Sequence, residues 1–146
     1  HCGSSRALLT VPERYIHSGI SSIKFPYTML ALLVEEEFFN RLAYFNSVEV
    51  YWEFSNREAS ELDYAGWTFL GYDVVDKGLY SGLKNYSDDV VTLFCKDMGI
   101  TLNKCALFED HKSAKLYADF ANKEILEHEP FIAVGLWAKV FNVPTI

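Results

Sequence analysis

Twenty acids, four histidines and three cysteines are the side chains of this 146-residue sequence with the means to do chemistry, and their spacing decides which chemistries stay open. His111 follows Glu109 and Asp110, whereas His128 stands between Glu127 and Glu129. On one helix the two would lie about 25 Å apart at ~1.5 Å per residue, too far to share a metal or an active site. The sequence holds no HExxH and no histidine pair at i, i+4. Cys2, Cys95 and Cys105 are odd in number and lack CxxC spacing, so neither a disulfide framework nor a zinc site is expected. Cys95 and Cys105 sit among apolar neighbours and read as buried small hydrophobes. A Cys/His nucleophile pair would need one of them brought beside His17 or His111 by the fold. Ser81 lacks the GxSxG elbow, and Gly66, Gly71, Gly78 and Gly82 lack phosphate-loop spacing. No catalytic residue, metal ligand or cofactor is expected from these patterns.

The acids carry more information. Residues 35–76 hold ten of the 20 acids but only two of the 13 bases, Arg41 and Arg57, so the window has eight excess negative charges against a net −7 for the chain. Its acids are Glu35, Glu36, Glu37, Glu49, Glu53, Glu58, Glu61, Asp63, Asp73 and Asp76. Glu49, Tyr51 and Glu53 alternate with Val48, Val50, Trp52 and Phe54, which places the acids and the tyrosine on one face of a strand. Glu58, Glu61 and Asp63 follow in the next loop. Clustered acids steer a basic partner and speed encounter, and tyrosine adds contact area with a hydrogen bond. Glu49, Tyr51, Glu53, Glu58, Glu61 and Asp63 are therefore the expected partner-binding residues. The plainer alternative is that they keep the strand soluble and guard its edge from pairing. Carboxylate pairs for hydrolysis can also be drawn from the window, and Asp73 with Asp76, before a Gly-rich loop, is the pair an enzyme would use, together with a histidine brought near by folding.

The elements that must position these residues follow from periodicity. Arg6–Val11 is a short apolar run stopped by Pro12, and Pro12–Ile16 could open a short helix. Tyr27–Val34 is a continuous apolar run that fits a strand buried on both faces. Glu35, Glu36 and Glu37 mark a helix start, and Phe38, Leu42 and Phe45 recur on one helical face. Ser47–Phe54 and Trp67–Val75 read as two strands, adjacent in sequence and so expected to pair antiparallel. Trp67, Phe69 and Gly71 share a side of the second, where Gly71 suggests a bulge or a close backbone approach. Ser87 opens a helix that Gly99 ends. Cys105–Phe108 reads as a short strand or a packed segment. Asp110 caps the longest helix, Lys112–Glu127, with Ala114, Tyr117, Ala121 and Ile125 as its buried stripe, and Pro130 stops it. Phe131–Phe141 is a last apolar strand. The interspersed pattern predicts an α+β fold, a single domain with a mostly antiparallel or mixed sheet covered by helices. Residues 1–5 are set apart as a remnant or truncated start, and 6–146 form the domain.

Composition excludes several classes. A chain that is 50% hydrophobic and 16% aromatic is not intrinsically disordered. No run approaches the ~18 apolar residues of a membrane helix. An acidic chain without a basic run does not suit a phosphate backbone. Neither membrane nor nucleic acid is expected as a partner, and the default location is the cytoplasm. The segment Gly66–Leu83, GWTFLGYDVVDKGLYSGL, resembles blocks found in small bacterial immunity proteins of contact-dependent toxin systems. The resemblance implies a small acidic protein that plugs a basic toxin, often a nuclease, and it assigns no site residue. The leading expectation is thus a non-enzymatic binding protein with a basic protein partner. The alternative is a small hydrolase-like enzyme at Asp73 and Asp76, and a third reading is a homodimer formed through Phe131–Phe141 as an edge strand.

Overall fold

The computed structural model describes residues 5–10, 27–42, 53–55, 66–83, 88–125 and 130–142. In chain order these form β1 (Ser5–Thr10), β2 (Tyr27–Glu35), α1 (Glu36–Leu42), β3 (Glu53–Ser55), β4 (Thr68–Val75), α2 (Asp88–Met98), α3 (His111–Glu124) and β5 (Ile132–Phe141). The five strands make one antiparallel sheet in the order β3-β1-β2-β5-β4, and the α+β fold is as expected. No helix among the described residues is long and apolar enough to cross a membrane. The expected helix at Pro12–Ile16, the Ser87 cap, Phe45 and His128 lie outside the described residues.

The apolar run of β2 has its reason in the strand's position. β2 is the middle strand, with β1 on one side and β5 on the other. Because side chains alternate across a strand, each face of β2 needs its own apolar cover. Leu30, Leu32 and Val34 join Leu8, Val134 and Leu136 in the larger core cluster. Ala31, with Met29 and Leu33 beside it, joins Ala7, Leu9, Trp67 and Trp137 in a smaller one. Each fully buried Leu or Val here contributes about 1.5–3 kcal/mol of transfer free energy.

Three strand expectations are corrected. The expected pairing of the strand ending near Phe54 with the Trp67–Val75 strand does not occur: β3 and β4 lie at opposite edges. β1, part of what read only as a short apolar run, pairs with both β2 and β3, and β5 fills the place beside β4. β5 is accordingly an interior strand, bonded to β2 and β4, so the expected dimer edge at Phe131–Phe141 is not there. Finally, Phe69 and Gly71 do not share a side. Phe69 stands opposite Trp137 and Gly71 opposite Leu136, so one extra residue, Leu70, is accommodated in a bulge that turns Gly71 to the other face. Of the expected Ser47–Phe54 strand, only Glu53 and Phe54 fall within the described residues, and β3 runs one residue further, to Ser55.

The bulge creates the close approach expected of a strand glycine. Gly71 has φ +139°, and a Cβ there would lie 2.8 Å from Asn103 Nδ2 and 2.9 Å from the Phe108 carbonyl oxygen. Into this space comes the segment Asn103–Phe108. Tyr72 N–H donates to the Phe108 carbonyl at 2.8 Å, and Phe108 N–H donates back at 3.0 Å. Asn103 shapes the segment from within: its amide donates to the Leu70 carbonyl at 2.9 Å while its oxygen accepts from the Cys105 and Leu107 N–H groups.

The two longer helices end and begin as their sequence implies. Gly99, at φ +66°, lets the Ile100 N–H reach the Cys95 carbonyl at 2.9 Å, a left-handed closure of α2. Asp110 caps α3, accepting from Ser113 N–H at 2.7 Å and from Ser113 Oγ at 3.1 Å. These bonds, the backbone one foremost, hold its carboxyl below the ordinary 3.8. Ala114, Tyr117, Ala118 and Ala121 are the buried face of α3. The two helices meet where Phe94 packs on Tyr117 and Phe120, with ring centroids 5.1 and 5.3 Å apart.

Candidate functional site

The Asp73–Asp76 pair is the first place to look for chemistry, and both carboxylates are occupied by the turn after β4. Asp73 and Ser81 are fully buried. Ser81 Oγ donates to Asp73 Oδ1 at 2.9 Å, and the same oxygen accepts from Val74 N–H. Asp76 is also buried, and its Oδ1 accepts from Gly78 N–H at 2.9 Å and Tyr80 N–H at 3.0 Å. The turn closes through Leu79 N–H to the Asp76 carbonyl and Gly82 N–H to the Val74 carbonyl, with Leu79 in the left-handed region at φ 65°. These are the short-range side-chain bonds by which aspartate builds turns. The sequence offers Asp73 and Asp76 as the carboxylate pair of an enzyme, and the fold turns both inward.

Of the expected partner-binding residues, Glu53 alone falls within the described residues. Glu53 opens β3, with its Cα opposite Leu9 of β1. Four strand spacings of ~4.8 Å put that edge about 19 Å from β4, so Glu53 and Asp73 belong to strands at opposite edges of the sheet. Glu49, Tyr51, Glu58, Glu61 and Asp63 lie outside the described residues.

A cluster that the sequence does not announce forms at the start of α3. His111 Nε2 lies 3.9 Å from Glu35 Oε1, the last residue of β2, and both side chains are 43% exposed. The Tyr72 ring meets the imidazole edge-on at 5.6 Å between centroids. Next to Glu35, Glu36 is held to β1 by Arg6 at 3.5 Å, so the β2–α1 junction is fastened on both sides. Beyond His111 a cleft of about 180 Å³ runs along α3, with Lys115 and Asp119 on one wall and Phe38, Phe131 and Ala133 on the other. Asn122 fixes the far end by a reciprocal clamp on Phe131: Phe131 N–H donates to Oδ1 at 2.6 Å, and Nδ2 donates to the Phe131 carbonyl at 3.1 Å. From sequence, His111 read as a structural residue at a helix start. The visible clue was the recurrence His111, Lys115, Asp119 and Asn122 at intervals of four, four and three, which is one polar stripe beside the alanine stripe.

A larger hollow of about 460 Å³ lies between Gly99–Leu102 and the α3 cap, where the Asp110 carboxylate is already bonded to Ser113. Cys95 and Cys105 are half-buried, less enclosed than their apolar neighbours suggested. Burial pushes the Cys95 thiol above its ordinary 9.0, the direction that makes a thiol less reactive. Among the described residues, no group of three His, Cys, Asp or Glu side chains is placed to hold a metal ion. No family model, curated protein or solved structure matches the chain.

Proposed function

We propose that the chain is a non-enzymatic binding protein whose acidic β3 side receives a basic protein partner. The observation that supports this reading is the position of Glu53 on the outermost strand of the sheet. The other edge strand, β4, is bridged by Phe108 and Ser81 along its outer side, which leaves β3 as the less obstructed edge among the described residues. Glu49 and Tyr51 precede Glu53, while Glu58, Glu61 and Asp63 follow it. In the sharpest form of this reading, which comes from the resemblance of Gly66–Leu83, the protein is a bacterial immunity protein acting in the cytoplasm. Its acids occupy the basic surface with which a nuclease-type toxin would hold nucleic acid. The hydrolase alternative gains no support from carboxylates committed to a turn.

The test is capture from a lysate of the native strain on the immobilised protein, parallel columns carrying Glu49→Lys with Glu53→Lys, and assay of the eluate for nuclease activity. Retention of a stoichiometric basic protein by the parent and its loss from the variant is the expected result, with the nuclease inhibited by added parent protein. A partner held equally by both columns, or none from a strain that expresses the neighbouring genes, overturns the proposal.

A further inference from the structure

We propose that the cleft between α3 and the β2–α1 junction is a binding site for a small zwitterion with an apolar side chain, of the free α-amino acid class. This inference is independent of the acidic β3 side. Its first support is the order of charge along the rim. Glu35 and His111 face each other at one end. Lys115 and Asp119, both exposed, follow at successive turns of α3, about 6 Å apart at ~1.5 Å per residue. A ligand carboxylate meets the Lys115 ammonium, and a ligand ammonium on the adjoining carbon meets the Asp119 carboxylate. A ligand with only one of these groups makes only one of the two contacts.

The second support is the opposite wall. Phe38 and Ala133, half-buried, offer apolar surface with Phe131 behind them. The Asn122 clamp holds the Phe131 backbone from two directions, and the Glu35–His111 and Arg6–Glu36 contacts hold the wall that carries Phe38. Walls held in this way lower the ordering cost of binding. The third support is size. At about 180 Å³ the cleft is smaller than the ~300 Å³ at which pockets for drug-sized ligands begin. That volume is of the order of a single small amino acid, and the cleft is open to solvent along one side.

The experiment is an amide chemical-shift titration of the full chain with L-leucine and L-phenylalanine. N-acetyl-L-leucine, which lacks the ammonium, and L-leucinamide, which lacks the carboxylate, serve as blocked analogues. Saturable shifts at Glu35 and along 111–122 are expected with at least one free amino acid, together with affinity at least tenfold lower for both analogues. Lys115→Ala and Asp119→Ala, at exposed helix positions, should each lower the affinity about tenfold with the amide spectrum otherwise unchanged. Absence of saturable shifts at millimolar amino acid overturns the proposal. So does equal binding of the blocked and free ligands, which would mark the cleft as an apolar hollow indifferent to the charges.

Discussion

Ser81 Oγ donates a 2.9 Å hydrogen bond to Asp73 Oδ1 across eight residues, with neither side chain exposed to solvent. Ser81 Oγ also accepts from Leu83 N–H at 3.2 Å, so one hydroxyl ties the strand carboxylate to the returning backbone. Ser81→Ala removes both bonds and leaves a buried N–H and part of a buried carboxylate unsatisfied. The expected loss is about 1–3 kcal/mol, read from urea unfolding. Ser81→Thr, which keeps the hydroxyl, should lose less if the extra methyl is accommodated. An alanine variant as stable as the parent would show that this bond does not hold the turn.

Two glycines of the sheet give opposite expectations. At Gly71 a Cβ meets three atoms at 2.8–2.9 Å, one of them the Phe108 carbonyl oxygen, in a backbone conformation unsuited to L-residues. Gly71→Ala should cost at least about 1–3 kcal/mol from overpacking alone and detach the Asn103–Phe108 segment. At Gly135 the nearest atoms to a Cβ are 3.6–3.7 Å away, ordinary contact. Gly135→Ala should be neutral or stabilising by up to about 1 kcal/mol. Paired thermal melts separate the two cases, and equal effects would contradict the described bulge.

Tyr117 supplies the pH-dependent prediction. Its ring is packed among Phe94, Phe108 and Phe120, and its hydroxyl is buried without a hydrogen-bond partner. Burial first, then the neighbouring Cys95 and Asp73 charges, push its pKa from 10.0 up to about 12. The neutral phenol is therefore favoured by folding. Its contribution is present below pH 10 and is lost as pH rises toward 12, since the unfolded chain ionises first. The full gap amounts to roughly 2–3 kcal/mol. Tyr117→Phe removes the unpartnered hydroxyl and should be neutral or up to about 1 kcal/mol stabilising at pH 7. It should also flatten the alkaline loss measured by denaturation from pH 9 to 12. An unchanged alkaline slope would assign that loss to other groups.

Local readings held where the chemistry is local. The Asp110 cap, the Gly99 closure, the apolar β2 and the close approach at Gly71 each rest on a few consecutive residues. What sequence reasoning missed is non-local. The β3–β4 pairing was inferred from neighbours in the chain, but β1 and β5, from either side of that segment in sequence, take the partner positions. The separation of Glu53 from Asp73 has the same origin. Asp73 and Glu53 are chemically alike in the sequence, and only the turn that delivers Ser81 makes one an internal acceptor. The cleft at His111 needs the end of β2 to meet the start of α3, residues 76 apart in number, and no periodic pattern in either stretch encodes that meeting.

The register of β2 with β5 runs from Tyr27↔Phe141 to Leu33↔Gly135, and that pairing sets a timetable for synthesis. Emerging from the ribosome, β1 and β2 are available to each other early, and β3 can join them soon after. β4 is made next but, among the described residues, has its only strand-length partner in β5. Until Ile132 and the residues after it emerge, the growing chain carries one unpaired edge of β2, apolar on both faces, while β4 waits unattached. A nascent chain stalled before β5 therefore presents a strand edge to its neighbours, the form most prone to join with copies of itself, and closing the sheet is the task of β5.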